Sequence, residues 1–188
     1  IDGSAATGVL NINTTNIVAD NKVGVGLTVK TGSAKDVITL AQAATVDAGA
    51  GDDTITSAAG GGTFTGGAGN DTFDVTLALA TGTTEATSVL TTITDLAAGD
   101  KIDFAATSSG AFNATKVVLG ASVTNLDLAL AAATGGVNTT QWFQYGSNTY
   151  IVSNDGDVAF DAGDTVVKIT GLVDLANSTM TGTVLTIA

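Results

Sequence analysis

The sequence predicts a mainly β protein: a parallel β-roll (β-solenoid) built on nine-residue turn-and-strand units, followed by a β-rich carboxy-terminal region with one short helix. Three observations predict it. Residues 48–74 divide into three consecutive units of nine, AGAGDDTIT, SAAGGGTFT and GGAGNDTFD. Gly49 and Gly67, in the first and third units, stand 18 residues apart, so two units make one coil and turns one coil apart stack on the same edge. Elsewhere, short runs of alternating apolar and polar residues broken by Gly and Asn keep the period of two that a strand imposes.

The third unit fits G-G-x-G-x-D-x-U-x, a calcium-binding nonapeptide in which U is a large apolar residue. Gly66, Gly67 and Gly69 permit torsions that side chains forbid, so the turn can aim its carbonyls at one point. Asp71 adds a hard anionic oxygen, and Phe73 points inward from the strand that follows. The first unit supplies the same parts as Gly49, Gly51, Asp53 and Ile55. Upstream, TGSAKDVIT at 31–39 keeps Gly32, Asp36 and Ile38 but places Ala34 in a glycine position and Lys35 beside the ligands; it fits a metal half-site and a plain turn alike. Residues 40–47 and 57–65 lack the turn aspartate and belong to the opposite edge. The expectation is one edge with ligands and one without. Stacked turns should face each other across a metal-sized gap, with one calcium between 49–53 and 67–71 and another between 32–36 and 49–53.

The remaining elements follow in order, with 1–79 assigned to the roll and 80–188 to the β-rich remainder. VLNIN (9–13), NIV (16–18) and GLTVK (26–30) read as strands that continue the coil upstream without metal. DVTLAL (74–79) extends the last strand of the roll, TGTTEATS is a polar loop, and further strands are expected at 89–93, 101–104 and 116–119. A helix is expected over 124–134. Thr124 and Asp127 form its capping box, Leu126, Ala129, Leu130 and Ala133 share a face, and Gly135-Gly136 end it. QWFQY and TYIV flank Gly146-Ser147-Asn148 as a hairpin. Its Trp142, Phe143, Tyr145 and Tyr150 read as core or interface packing in preference to a sugar-binding platform. Four carboxylates then fall within ten residues, Asp155, Asp157, Asp161 and Asp164, and repel one another unless a cation or solvent intervenes. They fit a second calcium site or a solvated turn. TVVKITGLV (165–173) reads as a buried strand, DLANS as a turn, and TGTVLTIA (181–188) as an apolar terminal strand.

Composition excludes much else. The chain has no His, Cys or Pro, and its basic residues are six lysines with no arginine. Without imidazole or thiolate there is no Ser-His-Asp triad, no cysteine nucleophile and no ordinary zinc or iron site, so an enzyme is not expected. A net charge of -12 argues against nucleic acid as a partner. The acidic residues are all Asp except Glu85, which suits short-reach oxygen ligation and tight turns. Neither a cleavable signal nor a membrane span is visible, and Ile1 opens in mid-pattern, as in part of a longer protein.

GGAGNDTF and AGAGDDTI resemble the repeats-in-toxin (RTX) family of calcium-binding, type I-secreted bacterial proteins. ITDLAAGDKIDF (93–104), FQYGSNTYIVSNDGD (143–157) and DTVVKITGLVDL (164–175) are similar, more loosely, to that family's carboxy-terminal region. The resemblance implies a β-roll unfolded in the low-calcium cytosol, exported by the type I secretion machinery through an uncleaved carboxy-terminal signal, and folded outside. The Thr-Ile-Ala ending departs from members that end in an acidic residue followed by large apolar ones. Richness in Thr and Ala, few charges and missing Cys and His resemble the surface-layer (S-layer) proteins of this group. The preferred expectation is therefore a structural segment whose partners are copies of itself in a calcium-dependent extracellular lattice. The alternatives are the secretion and folding tail of an exported protease, lipase or adhesin, and an ice-binding solenoid carried by Thr54-x-Thr56 and Thr63-x-Thr65.

Overall fold

The computed structural model describes residues 1–15, 26–75, 90–104, 111–133, 136–155, 160–161 and 163–188. The chain winds alternately through two sheets. One takes β1 (Asn11–Asn13), β3 (Val37–Thr39), β5 (Thr54–Thr56), β7 (Thr72–Asp74) and β9 (Lys101–Asp103), and the other takes β2 (Leu27–Lys30), β4 (Ala44–Asp47), β6 (Gly62–Thr65) and β8 (Leu90–Ile93). Neighbours within each series are parallel, as a chain that winds in one constant sense requires. The period of two then fixes the core. Ile38, Ile55, Phe73 and Ile102 stand in register in the first sheet, and Val29, Val46, Phe64 and Ile93 in the second, all wholly buried between the sheets. Each contributes about 1.5–3 kcal/mol of burial.

The carboxy-terminal half extends both sheets and adds a second, smaller core on the outer face of one of them. β14 (Thr179–Thr181) and β15 (Val184–Thr186) form a hairpin whose second strand lies antiparallel on β9, adding Leu185 to the Ile102 row. β13 (Thr165–Thr170) lies parallel on β8, adding Ile169 to the Ile93 row, and β12 (Asn148–Ser153) and β11 (Thr139–Tyr145) follow antiparallel. β10 (Ala111–Phe112) completes that sheet. The main core runs from Val29 to Ile187; the expected boundary at 79 falls at 76–89, outside the described residues. On the outer face of β11–β13, helix α1 (Leu126–Ala132) buries Leu126, Ala129 and Leu130 against Phe143, Tyr150, Val152, Phe160 and Val166. Among the described residues no helix is long and apolar enough to cross a membrane.

Several expectations shift. The helix is capped by Asn125, not Thr124: its extended backbone (φ -145°) lets the side chain accept the Leu128 N–H at 2.9 Å. Residues 116–119 form no strand; β11 meets this segment through isolated bonds, Val117 N–H to Trp142 O at 2.9 Å and the Lys116 ammonium to Gln144 Oε1 at 2.9 Å. The terminal apolar run is half of a hairpin, turned at Gly182 (φ 62°), and β13 stops at Thr170 because Gly171 (φ 93°) bends the chain. The 139–153 hairpin turns on Gly146 and Ser147 alone, both at positive φ, so Asn148 belongs to β12. Trp142 faces the roll core while Phe143 stacks on Tyr150 at 5.2 Å beneath the helix, so these aromatics are packing. Thr54 and Thr56 lie on one sheet and Thr63 and Thr65 on the other, so the two Thr-x-Thr pairs face opposite ways and make no common array for ice. The expected strand at 16–18, the end of the one at 74–79, Val89, and Gly135 lie outside the described residues.

Candidate metal centre

From β2 to β9, the passages from the second sheet back to the first occur on one edge, through the turns at 31–36, 48–53, 66–71 and 94–100. Each ends in Asp-x-apolar: Asp36-Val37-Ile38, Asp53-Thr54-Ile55, Asp71-Thr72-Phe73 and Asp100-Lys101-Ile102. The apolar residue is fixed inward by its row, so the aspartate two positions earlier is drawn under the turn, and all four are at most 3% exposed. Their carboxylates form a ladder. Asp53 Oδ1 accepts the Asp36 N–H at 2.6 Å, Asp71 Oδ1 the Asp53 N–H at 2.9 Å, and Asp100 Oδ1 the Asp71 N–H at 2.9 Å. The second oxygens of Asp53 and Asp71 are buried with no hydrogen-bond partner.

The glycines close the turns onto one another. Gly67 (φ 99°) packs its Cα against the carbonyl of Gly49, and Gly69 (φ 137°) packs against that of Gly51, where any side chain would collide with backbone. Ala50 N–H donates to Gly32 O at 2.9 Å, Ala68 N–H to Gly49 O at 2.9 Å, and Gly51 N–H to Ala68 O at 2.7 Å. The turns are therefore bonded rung to rung and are not separated by the expected metal-sized gap. The Gly32, Gly49 and Ala68 carbonyls each keep a second lone pair for a ligand role.

Electrostatics mark the same two residues. Burial pushes the Asp53 carboxyl up to about 6 against the pull of the Asp36 N–H, and Asp36 and Asp52 add repulsion. Burial likewise pushes Asp71 up to about 6, with Asp100, Asp53 and Asp95 adding to it, and holds Asp100 above its ordinary value. Two buried anionic oxygens without donors, on a short side chain and away from any imidazole or thiolate, fit a hard divalent cation. Of the expected ligand residues, the structure brings Gly32, Asp36, Gly49, Gly51, Asp53, Gly67, Gly69 and Asp71 onto one edge. Sequence reasoning missed Asp95 and Asp100. Asp95 takes the Gly66 and Gly67 N–H groups at 3.0 and 2.8 Å. The signal was Asp100-Lys101-Ile102, hidden because Asp71 and Asp100 are 29 residues apart instead of one coil.

The opposite edge carries no carboxylate at 40–43 or 57–61, as expected, but it acquires one at the start of β13. Asp164 is wholly buried there, its Oδ1 accepting the Asp155 N–H at 2.9 Å and its Oδ2 the Asp161 N–H at 3.0 Å. Asp155, Asp161 and Asp164 present oxygens within 4.8 Å of one another. Burial pushes Asp164 up to about 6. Asp157 lies outside the described residues.

No family model matches the sequence, and no curated protein matches it. Among solved structures, the chain is similar to the solution structure of the AlgE6R2 subunit from the Azotobacter vinelandii mannuronan C5-epimerase, at 20% identity over 90% of this chain and 83% of that one, with a TM-score of 0.42.

Proposed function

We propose that this chain is an RTX-type calcium-responsive β-roll, structural and not catalytic, that folds outside the cell after type I secretion and joins copies of itself in an S-layer. The observation that carries the calcium reading is the pair of buried, unpartnered oxygens on Asp53 and Asp71. Calcium, when bound, supplies the positive charge these oxygens lack. Asp53 and Asp71 would hold it, with the second lone pairs of the turn carbonyls as further donors; the Gly49, Gly51, Gly67 and Gly69 backbones keep the turns in register beneath it. Asp155, Asp161 and Asp164 are a further set of oxygens that the same cation would suit.

Extracellular calcium modules bind with dissociation constants of about 0.1–1 mM, so millimolar calcium stabilises such a fold and cytosolic calcium does not. The surface-layer part of the reading is supported by composition: Thr and Ala richness, few charges, and no His, Cys or Arg. Neutralising part of the -12 charge would also let copies approach. Far-ultraviolet circular dichroism of the 188-residue chain in EDTA and in millimolar CaCl2 tests the first claim: strand signal should rise with calcium, and equal spectra would overturn it. Light scattering across the same titration tests the second, for which growth in mass is expected. A fully folded strict monomer would move the assignment to the secretion tail of an exported protein.

A further inference from the structure

The four aspartates of the calcium edge are not equivalent. Asp36 closes both oxygens on backbone donors, Oδ1 on the Leu10 N–H at 2.7 Å and Oδ2 on the Gly32 N–H at 3.2 Å. Asp100 does the same at the far end of the row, Oδ1 on the Asp71 N–H at 2.9 Å and Oδ2 on the Ala97 N–H at 2.8 Å. Asp53 and Asp71, between them, close one oxygen each and leave the other buried without a partner. Beside Asp100, Asp95 ties the third turn down through Gly66 and Gly67 and has both of its own oxygens engaged.

Resting on the calcium reading above, we infer that the row is a two-rung cation site between backbone-satisfied end caps: Asp53 and Asp71 hold calcium, whereas Asp36 and Asp100 terminate the ladder without binding it. The chemistry of an Asp→Asn change then differs in sign along the row. At an inner rung the amide oxygen still accepts the neighbouring N–H, and a neutral NH2 replaces the unanswered anionic oxygen. The calcium-free fold is relieved, and its reason to take up a cation is gone. At an end cap both oxygens are already accepting. An amide nitrogen cannot accept, so one buried N–H loses its partner and meets another donor, with or without calcium.

The test measures urea midpoints of the full chain in EDTA and in millimolar CaCl2, with CaCl2 affinity by titration calorimetry. Asp53→Asn and Asp71→Asn should hold or raise the midpoint in EDTA while weakening calcium binding on the order of tenfold or more, since ligand charge sets affinity in such sites. Asp36→Asn and Asp100→Asn should lower the midpoint equally in both media and leave the affinity within about twofold of the parent. If Asp100→Asn proves too unstable to measure, Asp36→Asn makes the same comparison. A parent chain indifferent to CaCl2 would overturn the calcium reading itself. A responsive parent whose Asp36→Asn variant loses as much affinity as Asp53→Asn would overturn only the division between rungs and caps.

Discussion

Asp71 on the first edge of the roll and Asp164 on the second sit in the same local sequence, Asp-Thr followed by a buried apolar residue, Phe73 in the roll core and Val166 beneath the helix, and both are at most 1% exposed. They differ in what answers their charge. Asp71 reaches one coil back to the Asp53 N–H and leaves its second oxygen unanswered, whereas Asp164 closes both oxygens within its own loop, on Asp155 and Asp161. Depth of burial is thus set by strand register, but compensation is set by the turn. A turn that places one carboxylate oxygen on the neighbouring coil couples the two coils, and at Asp71 the second oxygen stays unanswered. A loop that closes its carboxylate on its own backbone couples nothing beyond itself.

The sharpest way to break this contrast is a methyl group at a glycine on each edge. At Gly67 (φ 99°) an added Cβ lands on the Gly49 carbonyl, which is held by the Ala68 N–H at 2.9 Å, so backbone on two coils must move. At Gly163 (φ 115°) it meets Asp155 Oδ2 at 2.5 Å, the far end of a side chain instead of backbone. Both changes carry left-handed strain of about 1–3 kcal/mol. Gly67→Ala adds overpacking of about 1–3 kcal/mol, so its total cost should be about 2–6 kcal/mol against about 1–3 for Gly163→Ala. Urea denaturation in CaCl2 decides it. Equal losses would mean that stacking of the turns contributes nothing special to the first edge.

The roll itself was legible because its period is written in unbroken units: 18 residues separate Asp53 from Asp71, and each Asp-x-apolar triplet fixes which side chain is buried. Legibility ended where that period was interrupted. Residues between β7 and β9 stretch the next repeat to 29, so Asp100 falls in the β-rich carboxy-terminal region, just before the strand expected at 101–104, with nothing in its spacing to mark it as the next rung. The cap at Asn125 was missed for a different reason. Thr124 and Asn125 are both good cap residues, and only the burial of Leu126 under β11 and β12 decides which of them starts the helix. The closeness of the stacked turns could not be read at all, since contact between coils depends on backbone torsions at several glycines together.

Acidity gives an effect of intermediate size, with opposite sign in the two states. Asp53, Asp71 and Asp164 are each raised from 3.8 to about 6 in the folded chain. Between those values the folded state binds more protons than the unfolded state, so calcium-free stability falls as pH rises. The contribution is fully present below the unfolded value and lost above about 6. With calcium saturating, Asp53 and Asp71 must be deprotonated to act as ligands, and protons compete with the ion. In EDTA the urea midpoint should therefore be higher at about pH 5 than at about pH 7, and in CaCl2 the order should reverse. The Asp53→Asn, Asp71→Asn double variant should lose the reversal and keep the part of the slope that belongs to Asp100 and Asp164. A midpoint in EDTA that rises with pH would show that buried carboxylates do not dominate the calcium-free fold.

The smallest expected effect isolates burial as the variable. Asp47 ends β4, six positions before Asp53, and pairs with Lys30 on the neighbouring strand at 3.4 Å, with both side chains 48% exposed. The charge is the same as that of Asp53, but here water screens it and a cation is already supplied. Opposite charges about 4 Å apart gain about 1 kcal/mol in water, and ordering two half-exposed side chains consumes most of it. A double-mutant cycle with Lys30→Ala and Asp47→Ala should return a coupling of about 0.5 kcal/mol or less, weaker still in high salt and unchanged by CaCl2. A coupling well above about 1 kcal/mol, or one that moves with calcium, would mean that the outer face is not solvent-like. Burial would then no longer be what separates the buried aspartates of this edge from an ordinary one.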